Sequence, residues 1–307
     1  MRPSPPRIAA VLAAALVVLA SACAPASAQG LRERLQRARE ASLRPAAQPP
    51  VLPDGARRIA DVAYGDDPRQ RFDVYLPAQA RDAPVLLFVH GGGWAFGNKD
   101  NPGNVPAKAA RWLPDGFVLV STNYRLRPDT APIDQARDVA RALAEVQRRA
   151  PQWGADPARV LLVGHSAGAH LATLVAASST LWREAGASRP LGVVSLDSGA
   201  LDVPDLMRRP RIPALFHRAF GDDPADWTEA SPHHRLARDA SPMLLVCSTR
   251  RPDACPQSHA MQARAAALDV RIDVLEQDLS HGDVNHLLGE PSAYTAAVDR
   301  FIRSLLD

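Results

Sequence analysis

The 307-residue chain carries 36 Lys and Arg residues against 33 Asp and Glu, a formal net charge of +3 at pH 7. Nearly all the cations are arginines, with lysine only at Lys99 and Lys108, and they are scattered among acids, which favours a solvated surface over a nucleic-acid-binding face. No apolar run of 20 residues follows residue 30, which excludes a membrane-spanning helix there.

The first 28 residues are predicted to be an export signal. Arg2 and Arg7 precede an apolar stretch over residues 8–20, and the small residues of "SACAPASAQG" follow. Two cleavage sites stay open: "ASA" before Gln29 suits ordinary secretion, whereas "LASAC" resembles a bacterial lipobox and would place a lipid anchor on Cys23. We therefore expect a periplasmic or secreted protein. Residues 29–57 are predicted to form a charged helix and a Pro-rich linker.

From residue 58 onward, strand signals alternate with helical stretches. The signals begin near Ile59 and recur in "QRFDVYLP", "PVLLFVH", "FVLVSTNY", "RVLLVGH", "LGVVSLDSG", "PMLLVCS" and "RIDVLEQ". Helical patterns cover residues 134–150, 167–177, 259–267 and 291–306. Short apolar strands without alternation, separated by helices, predict a mostly parallel sheet buried on both faces. The expected fold is one doubly wound α/β domain over residues 58–307.

A serine with a glycine two positions before it and another two positions after it follows the apolar run "RVLLVGH". Residues 164–168, "GHSAG", have the form GxSxG between a strand and a helix, the context of a nucleophile elbow. Glycines are needed there because side chains two positions either side of Ser166 would clash in so tight a turn. The turn would expose the Ser166 hydroxyl and place the Ala167 amide at a helix N-terminus, where it favours developing negative charge.

A second glycine-rich loop, "HGGGW" at residues 90–94, also follows a strand. Its backbone N–H groups can approach a substrate closely, as in HGGG-type oxyanion loops. The chain has no GxGxxG or GxxxxGK[ST] pattern at this loop, which argues against a phosphate-binding loop. His90 is expected to hold the loop by hydrogen bonds.

Together, "HGGGW", "STNYRLRP", the helix containing Asp138, "GADPARVLLVGHSAGAHLA" and "ASPHHRL" resemble α/β-hydrolases of the carboxylesterase and hormone-sensitive-lipase type. The opening "VAYGDDPRQRFDVYLP" is similar to feruloyl-esterase-like (BD-FAE) domains. The resemblance covers residues 58–306. It implies the α/β-hydrolase fold and a triad in the chain order Ser, Asp, His, with oxyanion donors at Gly92, Gly93 and Ala167. Whether Gly91 also donates depends on how the loop lies and stays open. The family's N-terminal cap helices are short or missing, which leaves residues 202–239 as the expected small lid.

The resemblance also guides the choice of acid and base. Asp253 stands in "DACP" shortly after an apolar strand and matches the family pattern of Asp, a small or apolar residue and Pro. A loop aspartate that starts a turn is the alternative. His281 is the first histidine after the last strand signal, in the polar turn "LSHGD". His286 lies in a short helical pattern and is expected to pack instead.

Other residues carry weaker expectations. Trp94 and Trp227 are predicted to wall the substrate pocket, with plain packing as the alternative. His170 is expected to pack or hydrogen-bond on the helix after Ser166, and His233 and His234 to lie at the surface. Cys247 and Cys255 form an even pair in an exported protein, so a disulfide and two free thiols both stay open.

These residues predict a serine carboxylic-ester hydrolase acting on short-chain acyl or aryl esters through an acyl-enzyme. An arylformamidase or other amidase would use the same residues. The alternative from another class is a non-catalytic binding domain on the same fold. We expect no cofactor and no metal, because His281 and His286 are five residues apart and do not match the helical HExxH spacing. The expected partner is a small-molecule ester, not nucleic acid.

Overall fold

The structure is a computed structural model that describes residues 50–306. The predicted export signal, Cys23 and most of the N-terminal helix and linker lie outside the described residues, and those expectations stay predictions. Within residues 50–306, no helix combines the length and apolar character needed to cross a bilayer.

Eight strands form one sheet in the spatial order β1-β2-β4-β3-β5-β6-β7-β8. They are β1 Arg57–Ala63, β2 Arg71–Leu76, β3 Ala83–Val89, β4 Val118–Thr122, β5 Ala155–His165, β6 Gly192–Leu196, β7 Met243–Ser248 and β8 Ile272–Gln277. Strand β2 pairs antiparallel with both β1 and β4, and the pairs from β4 through β8 are all parallel. The mostly parallel sheet is confirmed, and its first strand begins one residue before the predicted start of the domain.

Helices connect the strands and cover the sheet. They are α1 Pro106–Trp112, α2 Pro132–Arg149, α3 Ala167–Ala177, α4 Ser179–Glu184, α5 Val203–Met207, α6 Ala214–Phe220, α7 Pro224–Glu229, α8 Pro232–Arg235, α9 Ala254–Ala266, α10 Asp283–His286 and α11 Ala293–Arg303. A 3-10 turn over Ala150–Trp153 follows α2. The four short helices α5 to α8 fall within residues 202–239, the segment predicted to form the lid.

The sheet is buried on both faces, which explains its unbroken apolar strands. In β3, Val85 and Leu87 belong to one buried hydrophobic cluster and Leu86 and Phe88 to another. Helices α2 and α3 contribute to the first cluster, and α1 and α11 to the second. Successive side chains of a strand point to opposite faces, so helices on both faces require apolar residues at every position. Because β3 to β8 run parallel to one another, their carboxyl ends share one edge of the sheet, where open α/β sheets bind ligands.

Candidate active site

The turn from β5 into α3 has the geometry of a nucleophile elbow. Ser166 adopts φ 56° and ψ −118°, a backbone conformation that side-chain-bearing residues rarely take. A Cβ on Gly164 would lie 2.3 Å from the Gly168 carbonyl oxygen, and one on Gly168 would lie 2.1 Å from the Val89 carbonyl oxygen. Both glycines are therefore required by the close passage of strand and helix, as the sequence predicts.

Ser166, His281 and Asp197 form a hydrogen-bonded chain. His281 Nε2 lies 3.0 Å from Ser166 Oγ, and His281 Nδ1 lies 2.6 Å from Asp197 Oδ2. When Nδ1–H donates to the carboxylate, Nε2 is free to accept the serine proton. The structure thus brings Ser166 and His281 into contact, as predicted. The histidine lies between the serine and the carboxylate.

The predicted acid, Asp253, is not the one that contacts the histidine, so that assignment is wrong. Asp253 lies in the loop after β7 at the start of α9, and its Oδ2 accepts a hydrogen bond from Arg251 Nη2 at 3.3 Å. Asp197 immediately follows β6, the strand next to β5, and its carboxylate is fully buried. Asp197 comes directly at the end of β6, whereas Asp253 stands five residues beyond the end of β7, where α9 begins.

The Asp197 carboxylate is held in its ionised form. Burial by itself would raise its pKa, but hydrogen bonds from His281 and from the Ser248 backbone N–H, together with the positive charge of Arg251, outweigh burial and lower the pKa below its ordinary value. The Ser248 N–H donates to Asp197 Oδ1 at 2.8 Å. A buried, ionised carboxylate at this position can orient the imidazole and stabilise its cationic form.

Arg251 is a further cation in direct contact with this pair. Its Nη1 lies 3.0 Å from Asp197 Oδ2, 3.0 Å from the Asp197 carbonyl oxygen and 3.0 Å from His281 Nδ1. His281 Nδ1 carries the hydrogen that it donates to Asp197, so it cannot accept a hydrogen bond from Arg251. Arg251 therefore donates to Oδ2 and to the backbone carbonyl oxygen of Asp197, and not to the ring. The loop after β7, where the acid was predicted, therefore supplies an arginine that binds the acid.

His165 fixes the loop that carries the base. Its Nε2 donates to the His281 backbone carbonyl at 2.9 Å, and the two rings lie 4.7 Å apart between centroids. Burial, with a smaller contribution from the charge of His281, lowers the pKa of His165 to about 3, so it stays neutral and keeps this donor geometry at neutral pH. Sequence analysis missed this role, because His165 occupies a position of the GxSxG pattern at which the pattern specifies no residue type.

The glycine-rich loop after β3 lies against the nucleophile. A Cβ on Gly91 would come within 3.0 Å of Ser166 Cβ, and one on Gly92, whose φ is 130°, would lie 2.1 Å from the Phe96 carbonyl oxygen. Across residues 50–306 no acceptor is assigned to the amides of Gly92 and Gly93. The Ala167 amide, first in α3, has no acceptor within its helix. These three amides are the predicted oxyanion donors, and that role stays a prediction.

His90 holds this loop, as expected. Its ring stacks on Tyr124 with centroids 4.4 Å apart, its Nδ1–H donates to the Gly91 carbonyl at 2.7 Å, and the Tyr124 hydroxyl donates to the His90 carbonyl at 3.0 Å. Complete burial lowers the pKa of His90 to about 3, so the ring is neutral. The loop is positioned by neutral hydrogen bonds and packing before any substrate binds.

Trp94 does not wall a pocket, contrary to the prediction. Its side chain is 3% exposed, its Nε1 donates to His170 Nδ1 at 3.1 Å, and its ring packs on Phe216 and Phe220. His170 in turn donates from Nε2 to the Ala230 carbonyl at 2.7 Å, which confirms a hydrogen-bonding role. Trp94 therefore anchors the lid segment to the domain from inside the core.

Trp227 also lies away from the cavity that adjoins the oxyanion loop. Its side chain is half-buried on α7, and its Nε1 donates to the Gly221 carbonyl at 3.0 Å. The cavity beside the loop has a volume of about 240 Å³, and its apolar wall is formed by Ala95, Phe96 and Leu215. The aromatic wall predicted from the tryptophans is supplied by Phe96, which is 41% exposed.

The two cysteines of the domain are joined. A disulfide links Cys247 in β7 to Cys255 in α9, with Cα atoms 5.1 Å apart. It closes the loop that carries both Arg251 and Asp253, so it restrains the cation that binds Asp197. Of the two alternatives left open by the sequence, the structure shows the disulfide.

One group of side chains in the described domain has the donors for a cation. Asp202, His233 and His234 place one ligand atom each within 4.8 Å of one another. Several of these atoms already have partners: Asp202 Oδ1 accepts from the Asp205 N–H at 3.1 Å, and His234 Nδ1 lies 3.0 Å from Ser231 Oγ. Asp202 caps α5 and the two histidines lie in α8, so the group belongs to the lid segment. His234 is partly exposed, in line with the surface role expected of it, and His233 is half-buried.

A signal for Asp197 is present in the sequence. In "GVVSLDSG", Asp197 is the first charged residue after an apolar strand, and a glycine follows two positions later. Residues that end a parallel strand meet at the ligand-binding edge of the sheet. Asp253 stands five positions beyond the end of β7, where the chain has already turned into a helix. Distance from the strand end therefore favours Asp197.

A serine on a tight turn after β5 and a histidine after β8 of an eight-stranded, mostly parallel sheet define an α/β-hydrolase architecture. The chain has the α/β-hydrolase fold, and the model of the BD-FAE family matches residues 72–190. The fold is shared with esterase B from Lactobacillus rhamnosis, with a TM-score of 0.65, 23% identity, and coverage of 91% of this chain and 93% of that one.

Two curated relatives match part of the chain. Esterase LipC of Mycobacterium tuberculosis is 30% identical over 204 residues, which cover 62% of this chain and 50% of that protein. Kynurenine formamidase of Danio rerio is 31% identical over 150 residues, which cover 48% of each protein. The chain thus spans half or less of the length of these relatives.

Proposed function

We propose that this protein is a serine carboxylic-ester hydrolase acting on small esters. The observation that carries the proposal is the contact chain from Ser166 Oγ through His281 to Asp197, with distances of 3.0 Å and 2.6 Å. A non-catalytic binding domain would have no need for a strained serine in hydrogen-bond contact with a histidine that is itself paired with a buried carboxylate. The similarity to an esterase supports the same reaction class.

The geometry supports a two-step mechanism. His281 Nε2 takes the proton of Ser166 as its Oγ attacks the ester carbonyl, while Asp197 stabilises the imidazolium that forms. The amides of Gly92, Gly93 and Ala167 bind the oxyanion of the tetrahedral intermediate. His281 then protonates the departing alcohol. Water attacks the acyl-enzyme, gives its proton to His281, and the acid product leaves as the serine regains its proton.

The cavity supports a preference for short acyl groups. Its volume of about 240 Å³ is below the roughly 300–1,000 Å³ of ordinary ligand pockets, and helix α6 of the lid segment closes one side through Leu215. We expect kcat/KM on p-nitrophenyl esters to be highest between acetyl and hexanoyl and to fall for longer chains. Highest activity on long-chain esters would contradict this, and no hydrolysis of any ester by folded protein would contradict the esterase itself.

An amidase on the same residues is the second candidate, and the partial similarity to a formamidase favours it as the alternative. Phenyl esters and N-formyl anilides, assayed side by side on the same preparation, separate the two. The esterase proposal requires kcat/KM to be higher on the ester. A higher value on the formyl anilide would reassign the protein as an arylformamidase without changing the roles of Ser166 and His281.

We also propose that the protein works outside the cytosol. The charged and apolar pattern of residues 1–28 supports export, with an anchor on Cys23 as the alternative to cleavage before Gln29. The Cys247–Cys255 disulfide supports the same location, because such bonds form and persist in oxidising compartments.

A further inference from the structure

The cavity beside the oxyanion loop has a cationic side as well as an apolar one. Gly92 and Gly93 of the oxyanion loop line part of its wall, and Phe96 and Leu215 supply apolar surface. The remaining wall contains Arg127 and Arg218, and no acidic side chain lines the cavity. A substrate whose carbonyl reaches the oxyanion amides would therefore extend between apolar groups toward two guanidinium groups.

Neither arginine has a carboxylate partner among residues 50–306. Arg125, two positions before Arg127, is paired with the buried Asp138 at 2.7 Å, and Arg137 is paired with Asp134 at 2.7 Å. Two carboxylates of the lid segment pair with other arginines, Glu229 with Arg137 at 3.1 Å and Asp205 with Arg209 at 2.6 Å. The positive charges of Arg127 and Arg218 repel each other across the cavity. An anionic ligand bound between them would offset that repulsion.

Both arginines are mounted on elements that shape the site. The Arg127 backbone N–H donates to the Trp94 carbonyl at 2.9 Å, which ties it directly to the oxyanion loop. Its side-chain Nε donates to the Arg218 carbonyl at 2.9 Å, which ties it to α6 of the lid segment. Leu215 and Arg218 are three positions apart on α6 and so lie next to each other on the same face of the helix. The remaining guanidinium N–H groups of Arg127 are left for other acceptors.

We propose that the preferred substrates are esters whose acyl part ends in a carboxylate, such as monoesters of short dicarboxylic acids. This inference rests on the proposed function and narrows its substrate class. The carbonyl would sit at Gly92, Gly93 and Ala167, the methylene groups against Phe96 and Leu215, and the carboxylate at Arg127 and Arg218. The planar guanidinium fork matches a carboxylate, since it can donate two parallel hydrogen bonds to it.

The test compares two esters that differ in charge but hardly in size: mono-p-nitrophenyl adipate and its methyl ester, p-nitrophenyl methyl adipate. We expect kcat/KM of the wild type to be about fivefold or more higher on the anionic ester at low salt. Arg127→Gln and Arg218→Gln should each lower this ratio, and the double substitution should bring it to one or below. Added salt should lower the wild-type ratio, because screening weakens attraction between exposed charges.

Arg211→Gln is the matched control, since Arg211 is an exposed arginine of the same lid segment that does not line the cavity. It should leave the ratio at its wild-type value, and thermal melting should show all variants folded. A wild-type ratio of one or less, or a ratio that survives both cavity substitutions, would overturn the proposal while leaving the esterase intact. Hydrolysis of neither ester would instead overturn the proposed function.

Discussion

Replacing Ser166 or His281 with alanine is expected to lower kcat by about 10⁴-fold or more without unfolding the protein. The two side chains lie 3.0 Å apart and act on one proton, so loss of either stops its transfer. The double variant should be hardly slower than either single variant, because members of such a unit are strongly non-additive. Steady-state hydrolysis of p-nitrophenyl acetate, with circular dichroism to check folding, measures this.

His286→Ala is the control for the base. His286 is exposed on α10, five residues from His281, and its ring packs beside Gly103 and away from the nucleophile. This variant should keep most of the wild-type activity. An inactive His286→Ala together with an active His281→Ala would show that the base has been assigned to the wrong histidine.

Asp197→Asn is expected to lower kcat by about 10⁴-fold, whereas Asp253→Asn should stay within about tenfold of the wild type. An asparagine amide beside His281 Nδ1 can hold the imidazole in the wrong tautomer, which leaves Nε2 unable to accept the serine proton. Asp253 contacts Arg251 at 3.3 Å and reaches His281 only through it, so its loss should act on positioning alone.

The pair of variants discriminates between the two carboxylates because both are aspartates near the same arginine. Folding of each variant can be checked by thermal melting, since Asp197 is buried and also accepts the Ser248 N–H. A nearly inactive Asp253→Asn with an active Asp197→Asn would restore the acid predicted from the sequence motif and refute the geometry described above.

The contrast between these aspartates shows what local sequence can and cannot predict. The elbow around Ser166 and the loop around Gly92 could be predicted because their glycines answer to steric demands a few residues away. The acid depends on which strand lies next to β5 and on how far a loop extends. Those are tertiary facts, and a short motif such as "DACP" carries no information about them.

The orientation of Trp94 and the Cys247–Cys255 disulfide also depend on tertiary structure. Trp94 follows the oxyanion glycines in sequence, yet its positive φ of 60° turns the indole into the core, and only packing against α6 decides that direction. The eight-residue separation of Cys247 and Cys255 allowed a disulfide without requiring it. The helix that begins at Ala254 folds the chain back and brings their Cα atoms to 5.1 Å.

The most direct test that Ser166 is a nucleophile activated by His281 is covalent labelling with a fluorophosphonate followed by mass spectrometry. The wild type should carry one adduct per chain on the peptide of residues 160–183, with fragment ions placing it on Ser166 and not on Ser178 or Ser179. Ser166→Ala should stay unlabelled and His281→Ala should label far more slowly. Equal labelling of Ser166→Ala, or an adduct on another serine of the folded wild type, would show that Ser166 is not the activated nucleophile.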